Sequence, residues 1–156
     1  MKIRAAEEQD VKQIKFLLDR NFDEIMSAYH SKAILEKFKS HNSNENLLNQ
    51  LKWKKVYVAE DDAGEVIATG AFANFGSAEK PKYSVSNLYV IPENHAKGIG
   101  RMLFETLLEE AKANSAGSFH VPSSRNAIGF YEKMGFSVDG DQPEAGDEIT
   151  WMTMRL

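Results

Sequence analysis

The stretch from Tyr83 to Val121 constrains the fold more than any other part of this chain. It opens with a β-rich run, Tyr83 to Ile91, which Pro92 stops because proline has no N–H to give a ladder. The segment His95-Ala96-Lys97-Gly98-Ile99-Gly100-Arg101 then makes a glycine-bearing turn. Beyond it Ile99, Met102, Leu103, Leu107, Leu108 and Ala111 recur at helical spacing, so an amphipathic helix is expected, ending near Asn114 to Gly117. Ser118 to Val121 resumes extended structure. A strand, a crossover helix and a second strand force the two strands to run parallel.

The flanking sequence supplies the other layers. A short extended start at residues 2–5 leads to Glu7, Glu8 and Asp10, acids suited to the positive end of a helix. Val11, Ile14, Leu17, Leu18, Phe22, Ile25 and Met26 then form one buried stripe, with Lys12, Lys15 and Asp19 facing out. Further helices are expected near Ser31 to Lys39 and Glu45 to Leu51, separated by the polar run Ser40 to Asn44. From Lys55 the period changes: Val56 to Ala59, a turn at Asp61-Asp62-Ala63-Gly64 and a strand from Val66 to Phe75 read as a β-hairpin. After Val121 a helix spans about Ser124 to Met134, and Gly135 can close it in a left-handed cap. Phe136 to Val138 is extended, Gly140 to Gly146 is turn-rich, and Glu148 to Leu156 alternates as a final strand. Mixed order of this kind implies an α+β or α/β layered fold with a mainly antiparallel N-terminal sheet.

Bulk properties narrow the function classes. With 156 residues, 42% hydrophobic and 27% charged, the chain reads as one domain spanning 1–156. A formal net charge of -4 and no basic cluster argue against nucleic acid as a partner. No cysteine is present, which removes disulfides and thiolate nucleophiles, and the histidines at 30, 41, 95 and 120 are too scattered for a local metal-ligand pair. No metal is expected. The start of the chain has no apolar leader, and no run approaches the roughly 20 apolar residues of a membrane span. A cytoplasmic protein without a membrane partner is the expectation.

The glycine turn is the first candidate site. Glycine lets backbone approach a ligand, and the first amides of a helix have no internal acceptors and carry partial positive charge. Phosphate suits such an end, and Lys97 and Arg101 add formal charge. A dinucleotide fingerprint needs Gly or Ala where Leu103 stands, and a nucleotide P-loop needs Gly-Lys followed by Ser or Thr. Neither pattern is present. On its own, the turn reads equally as a tight strand-to-helix connection.

A second cluster, Asn126-Ala127-Ile128-Gly129-Phe130-Tyr131-Glu132-Lys133-Met134-Gly135-Phe136, follows the next strand. Together with Leu88-Tyr89-Val90-Ile91-Pro92, the glycine turn and the element order, it resembles the GNAT superfamily of N-acetyltransferases. The resemblance covers nearly the whole chain, and its specific part is residues 85–136. It implies a central mixed, mostly antiparallel sheet of six to seven strands flanked by helices, with acetyl-CoA as cosubstrate. By resemblance the backbone of Leu88 and Val90, beside Tyr89, pairs with the pantetheine arm. The amides of the turn, from Lys97 through Gly98, Ile99 and Gly100 to Arg101, hold the pyrophosphate. Asn126 contacts the cofactor arm and Tyr131 stands near its sulfur as proton donor. His95 replaces the family's usual Gln or Arg, and Ser86 or an uncharged neighbour stands where some relatives carry a basic-acting Glu.

The resemblance implies direct attack of a neutral primary amine on the thioester, through a tetrahedral oxyanion that donors near Val90 stabilise. The amine must first lose a proton, because an alkyl amine is almost fully protonated at neutral pH. Glu65, His120, Asp147 and Glu148 are candidates to take it. Tyr29, His30, Trp53, Phe72, Phe75 and Trp151 fall in regions that border the acceptor cleft in the family, and most are read as core residues. The acceptor is expected to be a small molecule. A protein or peptide amine and a non-catalytic acyl-CoA-binding sensor are the alternatives. An exposed C-terminal strand would make a homodimer reasonable.

Overall fold

A computed structural model of the chain describes residues 1–143 and 145–156. Its strands are β1 (Lys2–Ala5), β2 (Lys55–Glu60), β3 (Val66–Asn74), β4 (Tyr83–Val90), β5 (Ser118–Ser123), β6 (Ser137–Val138) and β7 (Thr150–Arg155). The helices are α1 (Val11–Glu24), α2 (Lys32–His41), α3 (Asn44–Gln50), α4 (Ile99–Ala113) and α5 (Ile128–Met134). The seven strands form one sheet in the order β1-β2-β3-β4-β5-β7-β6. Every neighbouring pair is antiparallel except β4 and β5, which run parallel around the α4 crossover. This is the sheet that the Tyr83 to Val121 stretch demands.

The apolar stripes decide which face each helix covers. The α1 stripe of Val11, Ile14, Leu17, Leu18 and Phe22, continued by Met26 in the 3-10 turn after it, packs with Leu35 of α2 and Leu47 of α3 against Val58 and Val66. On the opposite face α4 sets Phe104, Leu107 and Ala111 against Phe72, Val85, Phe119 and Val121, with Tyr131 of α5 in the same cluster. Helix starts differ in a way that matters below. Ser31 and Ser43 cap α2 and α3 by accepting from the N–H groups of Ile34 and Asn46, whereas Gly98 at the start of α4 offers no side chain.

The entry to α1 is held by an ion pair. Arg4 forks onto Asp10 at 2.8 and 2.9 Å and reaches Glu60 at 3.1 Å, joining β1, α1 and β2. Asp10, only 2% exposed, also accepts from the Glu7 N–H at 2.7 Å. The Arg4 guanidinium holds the Asp10 carboxyl below the usual carboxylate range, against the opposing effect of burial. Removal of the carboxylate leaves Arg4 with Glu60 alone and takes the acceptor from the Glu7 N–H, so Asp10→Ala is expected to destabilise the fold by about 1 to 3 kcal/mol in a chemical-denaturation series. A depressed carboxyl contributes its stability above the unfolded-state pKa and loses it as pH falls through the folded value, so wild type should soften in acid by this route and the variant should not.

Two expectations shift. The helix expected from Ser124 begins as a 3-10 turn at Arg125–Ala127 and becomes α-helical only at Ile128. Gly135, at φ 111, closes it as expected. The C-terminal strand is not an outer edge: β7 pairs with β5 along its length and with β6 at Met152 and Thr153. No helix among the described residues is long and apolar enough to cross a membrane.

Candidate active site

The site begins with a fault in β4. Thr69 pairs with Tyr89 but Ala71 pairs with Ser86, so Gly70 alone opposes Asn87 and Leu88. This is a β-bulge. Asn87 takes the left-handed conformation at φ 48, which Asn tolerates better than most residues, and its amide donates to Asn42 Oδ1 at 2.9 Å and Gln50 Oε1 at 3.2 Å. The extra residue resets the alternation, sending Leu88 and Val90 toward α4 and Tyr89 toward α1.

Beyond the fault, β4 and β5 separate. They register only at Ser84 and His120 among the described residues, and a cleft of about 480 Å³ opens between their C-terminal ends. Of the cofactor residues expected from sequence, Leu88, Tyr89, Val90, His95, Gly98, Ile99, Gly100, Arg101 and Asn126 line it, as does Tyr131. Lys97 does not; its ammonium turns to Asn94 Oδ1 at 3.0 Å. The Arg101 side chain is mostly exposed and lies beside Glu105.

The start of α4 faces this cleft without a cap. Gly98 is left-handed at φ 80, and a side chain there would meet no protein atom within 4 Å. Met102 is the first amide to find a carbonyl behind it, that of Gly98. The amides of Ile99, Gly100 and Arg101 therefore keep the free-donor character of a helix start. On β4, the Ile91 N–H bonds to the Ile67 carbonyl at 2.8 Å, and antiparallel alternation then aims the Val90 N–H into the cleft. The Val90 carbonyl accepts from Asn21 Nδ2 at 2.9 Å and lies 2.7 Å from His95 Nε2. His95 Nε2 thus braces the strand end.

Two polar groups stand on the far wall. Asn126 Oδ1 is buried with no hydrogen-bond partner among the described residues. Tyr131, 5% exposed, packs edge-on against Phe130 and Phe136. Burial raises its hydroxyl pKa well above the ordinary value, with a smaller contribution from Tyr89. Its proton is therefore held throughout the neutral range.

A second cavity, of about 240 Å³, shares Asn87, Tyr89, Pro122 and Ser124 with the cleft as a common wall. Lys54 enters it and donates to Ser86 Oγ at 2.9 Å and Gln50 Oε1 at 3.1 Å. Of the aromatics expected around an acceptor, Phe75 lines this cavity, whereas Tyr29 and Trp53 are exposed and Phe72 and Trp151 are buried elsewhere.

None of the four candidate proton acceptors lines either space. Glu148 is bound by Ser31, His30 and Arg125, with Ser31 contributing most to holding its pKa low. Asp147 pairs with Lys37, and Glu65 lies in a separate groove beside α1. His120 bonds to Ser118 and Thr153 on the sheet, where burial lowers its pKa. No group of three or more potential metal ligands occurs among the described residues.

The sequence model of the acetyltransferase (GNAT) domain matches residues 22–156. The chain belongs to the GNAT family. Within that family it is 30% identical over 114 residues to an L-methionine sulfoximine/L-methionine sulfone acetyltransferase of Pseudomonas paraeruginosa, covering 65% of this chain and 64% of the relative. It spans somewhat less than two thirds of that protein's length. A Salmonella typhimurium protein of the same name is 30% identical over 120 residues, covering 69% of this chain and 68% of the relative. The GNAT fold is equally clear in three dimensions. The PaiA N-acetyltransferase of Thermoplasma acidophilum, crystallised with coenzyme A, superposes with TM-score 0.82 at 19% identity over 99% of this chain and 98% of its own. A Brucella melitensis GNAT acetyltransferase in complex with acetyl-CoA gives 0.68 at 23% identity, over 99% of this chain and 87% of its own.

Proposed function

We propose that this chain is an N-acetyltransferase that moves an acetyl group from acetyl-CoA to the primary amine of a small molecule. The uncapped start of α4, opening onto a wedge walled by Tyr131, carries the proposal. The space fits the cosubstrate at three places: free amides for a diphosphate at Ile99 to Arg101, an inward N–H at Val90 for the arm, and an orphaned amide oxygen at Asn126. Structural neighbours that hold coenzyme A or acetyl-CoA in the same fold support this. Acetyl-CoA supplies an activated acyl thioester.

The chain's own groups then have defined tasks. The amides of the turn bind and aim the cosubstrate, and the Val90 N–H donates to the oxygen on which negative charge grows. Tyr131 delivers a proton to the departing sulfur. The apolar wall that keeps the hydroxyl protonated also raises the proton affinity of a thiolate beside it, so donor and acceptor are shifted in the same direction. The second cavity, small and joined to the cleft through shared walls, is the acceptor pocket, and its size favours a small molecule over a protein chain. The methionine sulfoximine acetyltransferases among the relatives agree with that size.

Thiol release from acetyl-CoA, followed across polyamines, amino acids, aminoglycosides and peptides, tests the reading. Turnover with a small amine is the expected result. Tight coenzyme A binding with no turnover on any acceptor would instead point to a binding module. We also infer a single-domain, cytoplasmic protein that forms a homodimer. The dimer rests on the family resemblance and not on an open strand, since β6 and Gln142 cover the outer side of β7, and light scattering in solution tests it.

A further inference from the structure

The acceptor cavity carries a charge that nothing in its wall neutralises. Lys54 enters it from the turn after α3, and no Asp or Glu is among the described residues that line it. The ammonium donates to two neutral oxygens, Gln50 Oε1 and Ser86 Oγ. Its remaining neighbours are rings, with Trp53 at 4.9 Å and Phe75 at 5.4 Å from the nitrogen to their centroids. The third N–H has no hydrogen-bond acceptor among the described residues. The Ser86 hydroxyl, already accepting from Lys54, keeps its own proton to donate.

We infer that Lys54 and Ser86 form the receptor for a carboxylate on the acceptor, so that the preferred substrates are amino acids rather than simple amines or polyamines. The inference rests on the acetyltransferase reading above and deepens it. Charge balance decides the class. One cation without a counter-ion in a confined, partly apolar space welcomes one negative charge, and a carboxylate fits a lysine and a neighbouring hydroxyl with one bond to each oxygen. An acceptor bearing only positive charge would instead bring like charges into one cavity. The overall negative charge of the protein points the other way, toward cationic substrates, but no acidic side chain among the described residues lines this cavity.

The state of Lys54 agrees with this role. Burial lowers its pKa to about 8, a value at which the cation still predominates at neutral pH, and a bound carboxylate would push it back up. Its position has a further consequence: Ser86 stands on β4 immediately before the bulge, so a group anchored there sits at the wall shared with the cosubstrate cleft.

A panel of L-amino acids that includes L-methionine sulfone, each paired with its carboxamide, tests the inference. Wild type should favour the acids over the amides in kcat/KM. Lys54→Met should lose about ten- to a hundredfold on the acids, mostly through KM, with the amides little changed. Comparing the acid-to-amide ratio between the two proteins cancels the different basicities of the amines. Lys54→Arg keeps the charge and should retain most of the preference, and Ser86→Ala should erode it partly. Equal losses on acids and amides, or losses confined to kcat, would overturn the inference and mark Lys54 as a structural or proton-accepting group. Coenzyme A titrated into each variant keeps the two levels apart. Intact binding with an unaltered acid-to-amide ratio defeats the carboxylate receptor alone, whereas absent binding in wild type defeats the acetyltransferase reading with it.

Discussion

Tyr131→Phe is expected to lower kcat by about 10² to 10⁴ while leaving the affinity for coenzyme A unchanged. The ring is held by Phe130 and Phe136, so loss of one oxygen disturbs little of the core, and the hydroxyl has no hydrogen-bond partner to abandon among the described residues. What disappears, on the proposed mechanism, is the proton donor to the leaving sulfur. The elevated pKa adds a second expectation, tested with an uncharged carboxamide acceptor. Because burial keeps Tyr131 protonated, the rate should climb with pH as the amine loses its proton, without a descending limb from this residue below about pH 10. A Phe variant with wild-type turnover at saturating acetyl-CoA would remove Tyr131 from the reaction and leave it as packing.

Gly98→Val should weaken coenzyme A binding by at least about tenfold in a protein that still folds. The backbone there sits at φ 80, which costs a β-branched residue roughly 1 to 3 kcal/mol and drives the turn toward another conformation. A Cβ at this position meets no protein atom within 4 Å, so the fold has no clash to resolve and the side chain projects into open space at the mouth of the cleft. Both effects act on the amides that follow. Gly100→Ala makes a useful contrast, because its Cβ would lie 3.6 Å from Phe130 and Val90 in ordinary contact, and its effect should be smaller. Calorimetric titration of the two variants, with circular dichroism to confirm folding, measures the difference. Unchanged affinity in folded Gly98→Val would move the diphosphate away from this turn.

Much of this architecture was readable in the sequence because it follows from periodicity and punctuation. The stripe of α1, the Asp61 to Gly64 hairpin, the α4 crossover and the Gly135 cap each have a local cause, and each appears in the structure. The cleft residues were legible for the same reason, since the turn at Gly98 and the helix bearing Tyr131 are local motifs. Lys97 shows the limit of that reasoning: side-chain direction in a turn is set by the nearest acceptor, here Asn94, and not by formal charge. The second cavity is not legible in the sequence because its walls come from α1, α2, α3, β4, the end of β5 and the segments after α3, β3 and β5, with no spacing rule between them. Lys54 in Trp53-Lys54-Lys55 reads as an ordinary solvated charge, and only the fold turns it inward. Asn87 offered a faint signal, an Asn within a β-rich run, that marks the bulge and the separation of β4 from β5.

The central claim is that the uncapped backbone donors at the start of α4 grip a diphosphate and so orient an acyl thioester toward the second cavity. Titration calorimetry of the wild-type protein with coenzyme A, and in parallel with pantetheine, which lacks the diphosphate, tests it most directly. Saturable heat with coenzyme A and markedly weaker binding of pantetheine is the expected result. Equal affinity for the two, or no heat with coenzyme A, would contradict the assignment of this turn and of the activity built on it.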